Sequence, residues 1–192
     1  MFTNRRSVLA AAAALAAAPV AAAMAQTARP AGGNPAAMPM PDVSGVRTAK
    51  AFAMGVIGPA ELSRVTSEIA VERAKNSMAK EFAGFELTEA IAVTTVLKDL
   101  GTPVPPMDAK AQATLDKIKA AANGAAFDQA YITAQHENHE FLRDLATAYL
   151  KNSAPGTTDA AEKHGRHLAT LALSNFKEHV AITKRISGEL KA

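Results

Sequence analysis

Phe127-Asp128-Gln129-Ala130-Tyr131-Ile132-Thr133-Ala134-Gln135-His136-Glu137-Asn138-His139 is the stretch on which the reading of this chain turns. At about 100° per residue, Phe127, Tyr131, Gln135, Asn138, His139, Leu142, Leu145 and Tyr149 fall in one broad helical stripe. His136, Glu137, Glu140, Arg143 and Asp144 fall on the opposite side. A helix over about residues 125–151 therefore buries a face that begins aromatic, turns polar at Gln135, Asn138 and His139, and ends aliphatic. A polar interruption inside a core face has to be satisfied by partners or by a ligand.

Outward from that helix the pattern stays helical, with no alternating strand signature. Residues 46–57 predict a first helix stopped by Gly58-Pro59, and residues 60–75 a second piece with Leu62, Val65 and Ile69 on one side. A break is expected near Asn76, or else a bend in a continuous helix. Residues 77–100 form the next helix, on which Met78, Phe82, Phe85, Val93, Val96, Leu97 and Leu100 share a stripe that also holds Glu86 and Glu89. Gly101 ends it, and Pro103, Pro105 and Pro106 prevent its continuation. Asp108 caps a short helix to about residue 122, broken by Asn123-Gly124. After a turn-forming loop at 152–156 the last helix runs over about 158–190, with Leu168, Ala172, Phe176, His179, Ile182 and Ile186 inward. Four long amphipathic segments and one long connection predict an all-α fold, a ferritin-like four-helix bundle with a long crossover carrying a short extra helix.

Residues 1–25 read as an export signal. Arg5 and Arg6 precede an apolar run over 8–20, and Ala23-Met24-Ala25 offers a cleavage site before Gln26. The paired arginines fit a twin-arginine signal, and an ordinary secretory signal fits equally. Both predict a periplasmic mature chain with no membrane span, because the apolar run falls short of about 20 residues and Pro19 interrupts it. Residues 26–44, rich in Pro, Gly, Ala and Met, read as a disordered linker, leaving 45–192 for the bundle. Met38 and Met40 could offer two thioethers to Cu(I), a weak signal. There is no Cys, which removes disulfides, thiolate metal sites and a cysteine nucleophile. Of the formal net charge of +3, the two signal arginines carry two, so the remainder gives no electrostatic case for nucleic acid.

Phe127-Asp128-x-x-Tyr131-x-x-x-Gln135-x-x-x-His139 resembles the core motif of the exported bacterial family DUF4142, whose members are often labelled outer-membrane proteins. Phe52, residues 68–74, Phe82-Ala83, Leu97 and Phe176-Lys177-Glu178-His179 also fit its pattern, so the resemblance covers roughly residue 46 to the C-terminus. It implies a ferritin-like helical bundle and an envelope location, without an established activity. Many members carry an Asp-His pair where this chain has Glu89-Ala90. If that histidine is a ligand in relatives, Glu86 or Glu89 would have to serve here.

With the second and third long helices parallel, at about 1.5 Å per residue, Glu86 lies level with Gln135, and Glu89 with His139. Glu86, Glu89, Gln135 and His139 are therefore the candidate ligands for a divalent metal, with Fe, Mn and Zn the candidates. The competing reading is a satisfied polar layer, including Asn138, that fixes helix register. None of the five histidines completes a Glu-x-x-His pair, and His136-Glu137-Asn138-His139 is one residue short of H-E-x-x-H. Counting from the 152–156 loop puts His139 and His179 about a dozen Å apart along the axis, and puts Tyr131 level with His179 as a hydrogen-bond partner. His164 and His167 could chelate a surface ion or simply be solvated.

No G-x-S-x-G elbow, P-loop or G-x-G-x-x-G occurs. The expected role is non-enzymatic, at a protein or envelope partner, with Leu87 and Ile91 hinting at an apolar patch and oligomerisation open. The alternative is a metal-binding or metal-dependent redox protein. Glu89 and His139 as a hydrolytic acid–base pair is a third and weaker reading.

Overall fold

The computed structural model describes residues 42–191. Among them are five helices and no strand: α1 (Ala49–Arg73), α2 (Ser77–Asp99), α3 (Ala109–Ala120), α4 (Ala125–Asn152) and α5 (Ala160–Glu189). The export signal and all but the last three residues of the predicted linker lie outside the described residues. No helix among the described residues is long and apolar enough to cross a membrane.

Local chemistry sets the boundaries. Side-chain oxygens of Thr48, Asn76, Asp108 and Asp159 accept backbone N–H groups at the starts of α1, α2, α3 and α5. At the end of α2, Gly101 adopts φ +80°, so its N–H reaches the Lys98 carbonyl and that of Thr102 reaches Leu97, each at 2.9 Å.

Gly58-Pro59 does not stop the first helix; α1 runs straight through it. An interior proline costs about 3 kcal/mol. Here Phe52, Val56 and Ile57 before it and Ala60 and Ser63 after it are all buried. Burial of that one continuous face outweighs the lost hydrogen bond.

Backbone direction follows from the contacts. α1 and α2 form an antiparallel hairpin, as do α4 and α5. α1 lies antiparallel to α4, with Pro59 against Asn138, Ser63 against Gln135 and Ser67 against Tyr131. α2 therefore runs parallel to α4, and the connection carrying α3 crosses between them, with Ile118 of α3 in the core. One apolar cluster contains Ala70, Ala79, Phe82, Phe127, Tyr131 and Ile186, and a second contains Phe52, Val56, Leu142, Leu145, Tyr149 and Phe176. Between them all four long helices turn polar, at residues 63–67, 86, 135–139 and 179.

The predicted stripe of α2 is rotated, and that of α5 holds except at its first residue. On α2, Phe85, Val96 and Leu100 are exposed, and the buried face is Ala79, Phe82, Ala83, Glu86, Ala90 and Thr94. Small side chains let α1 and α2 approach closely, so the largest residues are a poor guide to the inward face in an alanine-rich chain. On α5, Leu168 is exposed and Ala169 is buried.

α5 begins beyond the end of α4. The Arg166 guanidinium donates to the Leu150 and Ser153 carbonyls at 3.0 Å, closing the C-terminus of α4. About a turn and a half of α5 precedes that level. There Glu162 accepts the N–H of Ala49 at 2.9 Å and the Tyr149 hydroxyl at 3.2 Å. Burial, then the Glu162 charge, pushes Tyr149 up to about 12. The close approach depends on Gly165: a Cβ there would sit 2.4 Å from the Ala49 Cβ and 3.0 Å from the Tyr149 hydroxyl. Gly165→Ala should therefore cost about 2 kcal/mol despite its better helix propensity, read as a melting temperature lower by about 5 °C. An unchanged or higher melting temperature would show that the α1–α5 contact gives way freely.

Candidate metal centre

The polar layer divides into two networks. In the first, between α1 and α4, Ser63 donates to the Gln135 side-chain carbonyl at 2.9 Å, and the Gln135 amide donates to Thr66 at 2.9 Å. Asn138 donates to the Pro59 carbonyl and to Ser63, and Tyr131 and Ser67 share a hydrogen bond of 2.8 Å. Gln135 is thus engaged by α1 and does not join Glu86. Tyr131 likewise pairs with Ser67, not with His179. This network has the hydrogen bonding expected of a layer that fixes helix register.

The second network gathers Glu86 of α2, His139 of α4 and His179 of α5. His139 Nε2 and His179 Nδ1 lie 3.2 and 3.1 Å from Glu86 Oε2, and 3.0 Å from each other. Glu86 is 4% exposed, His139 2% and His179 9%. The outer faces of both rings are held. His139 Nδ1 is 2.8 Å from the Gln135 backbone carbonyl, which only accepts, so Nδ1 carries a proton and Nε2 is the nitrogen turned toward Glu86. His179 Nε2 is 3.5 Å from Glu89 Oε2, and the other Glu89 oxygen accepts from Asn175 at 3.3 Å. Glu89 therefore stands outside the triangle as the acceptor that orients His179, an arrangement common behind metal-bound histidines.

His139 and His179, expected about a dozen Å apart along the axis, touch at 3.0 Å, which brings His179 into the candidate set. The count sets the start of α5 level with the end of α4, whereas the overhang of α5 slides His179 back alongside His139. His164 and His167 are exposed on α5 and join no ligand group among the described residues.

Charge in the triangle is tightly constrained. Burial works against the Glu86 carboxylate, but the two imidazoles beside it outweigh burial and hold it well below the usual carboxylate range. Burial also works against a charged His179, and Glu86, followed by Glu89 and Glu178, lifts it above its ordinary value. Glu86 Oε2 is nevertheless buried without an aligned hydrogen bond. A void of about 20 Å³ lies beside it, walled by Glu86, Glu89, His139, Ser63, Ala90 and Phe176 among others. Ala90, where the resemblance puts a histidine in relatives, thus borders the site. Two imidazole lone pairs and a carboxylate within one ion's reach suit a divalent transition metal. A larger cleft of about 410 Å³ opens elsewhere, between Met54 and Pro59 of α1, Pro106 and Ala111, and Phe141 of α4.

Residues 34–185 match the model of a family described as a domain of unknown function, DUF4142. The chain belongs to the DUF4142 family. No curated protein matches it, and no solved structure does. In this DUF4142 chain the Phe-Asp-x-x-Tyr run is structural. Phe127 is buried beneath the Arg73 guanidinium, 4.3 Å from its ring centre. Asp128 accepts the backbone N–H groups of Lys75 and Asn76 at 3.0 and 2.8 Å, fastening the α1–α2 turn to α4.

Proposed function

We propose that this chain is an exported, periplasmic metal-binding protein: a ferritin-like four-helix bundle, its crossover carrying α3, that holds one divalent transition-metal ion through Glu86, His139 and His179. The single observation that carries the reading is the buried triangle of one carboxylate oxygen and two ring nitrogens with sides of 3.0 to 3.2 Å. A hydrogen bond to the Gln135 carbonyl behind His139 and an ion-pair contact to Glu89 behind His179 suit both imidazoles to face an ion. Export rests on the signal-like residues 1–25, and a twin-arginine route would deliver the protein already folded and loaded.

When bound, the ion would supply Lewis-acid or one-electron chemistry. The protein's own groups set its limits. Glu86 offsets one of its charges, the Gln135 carbonyl and Glu89 stand behind the two rings, and the two apolar clusters lie on either side of the site. The geometry favours holding an ion over turning over an organic substrate, because the adjoining void accommodates about one water.

The test is a metal count on protein purified from its native host without chelator, by elemental mass spectrometry. About one ion per chain is expected, falling below about a tenth in His139→Ala and His179→Ala variants whose circular dichroism stays helical. Wild-type protein that stays empty after anaerobic reconstitution with Mn(II), Fe(II) and Zn(II) would leave the triangle as a proton-bridged structural layer. A second reading, an interaction with a protein or envelope partner, draws on the exposed Phe85, Leu100 and Leu171.

A further inference from the structure

The dimensions of the triangle limit what the site can take. An ion about 2.1 Å from each of three atoms spaced 3.0 to 3.2 Å apart sees them at angles of about 95°. That is the face of an octahedron, well short of the tetrahedral angle of about 109°. Widening the triangle to a tetrahedral face would require separations of about 3.4 Å. The three side chains come from three helices, and the spacing they adopt is the shorter one, that of an octahedral face. Two imidazoles and one carboxylate on a single face leave other coordination positions free.

The void decides what can fill them. It is a small, partly open cleft with about 20 Å³ of free space, bordered by two of the three ligating side chains, Glu86 and His139. The rest of its wall includes Val56, Ala60, Ala90, Val93, Leu142 and Phe176, with the Ser63 hydroxyl a polar neighbour. A water needs about 10 to 15 Å³ of such space. Resting on the metal-binding reading above, we infer that the ion sits on an octahedral face with an exchangeable position facing this cleft, whose free space fits ligands of water to triatomic size and disfavours organic acids and heterocycles. The chemical class of ligand is thus the small oxygen- and nitrogen-containing molecules, of which dioxygen, peroxide and nitric oxide are members.

Anaerobic substitution with Co(II) tests this on the intact folded protein, because cobalt reports its geometry in the visible spectrum. Stoichiometric binding with the weak absorption of five- or six-coordinate cobalt is expected. Azide should then shift the spectrum, and imidazole at the same concentration should not. Ala90→Val, which narrows the void, should keep the cobalt and weaken the azide response at least tenfold. Intense four-coordinate absorption would overturn the inference and leave the metal-binding reading standing. So would a wild-type spectrum that ignores azide, or one that responds equally to imidazole; neither depends on the variant folding. Failure to bind cobalt at all would overturn both.

Discussion

Glu86→Gln is expected to abolish stoichiometric metal binding and, in the metal-free protein, to cost about 3 kcal/mol near pH 6. The substitution keeps the shape and removes the negative charge at the centre of the triangle. For the metal, the loss is one of three ligands and the one that offsets cationic charge. For the metal-free protein, the argument is the buried pair that forms when His179 holds a proton beside Glu86. His179 is lifted above its ordinary 6.5, so its contribution is fully present below that value and is lost as pH rises through the lifted one. Glu86 is depressed below its ordinary 4.5, so its contribution is present above 4.5 and is lost as pH falls through the depressed value. Both are in force between about pH 4.5 and 6.5. The penalty of the substitution should peak in that window and shrink on either side. Metal competes with the same proton, so the loaded protein should gain stability as pH rises past the window, where the empty protein loses it. Urea unfolding with chelator and with excess metal, at several pH values, reads both slopes. A Glu86→Gln penalty independent of pH would remove the His179–Glu86 pair as the cause.

Two of the three corners of that triangle were legible in the sequence. Glu86 and His139 both stand on apolar faces, and a charged or imidazole side chain in such a place demands a partner. Parallel α2 and α4 then put Glu86 level with Gln135, about one turn from His139. What misled the reading was register between helices. Periodicity reports which way a side chain faces around its own axis and says nothing of how far one helix slides along another. The slide of α5 is set by Glu162 at the start of α1, Arg166 at the end of α4 and the close approach at Gly165, contacts of the tertiary structure. The inward position of His179 was the only signal that could have kept it in the set. Gln135 fails the other way: α1 offers Ser63, Thr66 and Ser67 on one face, ordinary helix residues with no periodic signature, and these capture the amide. The α2 stripe failed because size was taken for burial, where alanines and Thr94 make the close contact.

Asp128→Ala is expected to destabilise the protein by about 3 to 4 kcal/mol, lowering the melting temperature by about 10 °C. Asp128 is 2% exposed and stands in the first turn of α4, where Gly124 provides no side-chain cap. Its carboxylate accepts two backbone N–H groups from the turn between α1 and α2, and hydrogen bonds to a charged group contribute about 1.5 to 3 kcal/mol each. The charge also faces the positive ends of α2 and α4 at once. Alanine removes both acceptors and leaves the turn amides of Lys75 and Asn76 without them. Asn keeps one acceptor oxygen and offers an N–H₂ group where the second amide needs an acceptor, so Asp128→Asn should recover less than half of the loss. Hydrogen exchange separates this from a general loosening: Lys75 and Asn76 should lose protection before the centres of α4 and α5 do. Because the fastening lies about three turns from His139, metal stoichiometry in Asp128→Asn should stay at the wild-type value. Uniform loss of protection along all the helices, or metal lost in step with stability, would mean that Asp128 supports the core as a whole and that the α1–α2 turn has no separate anchor.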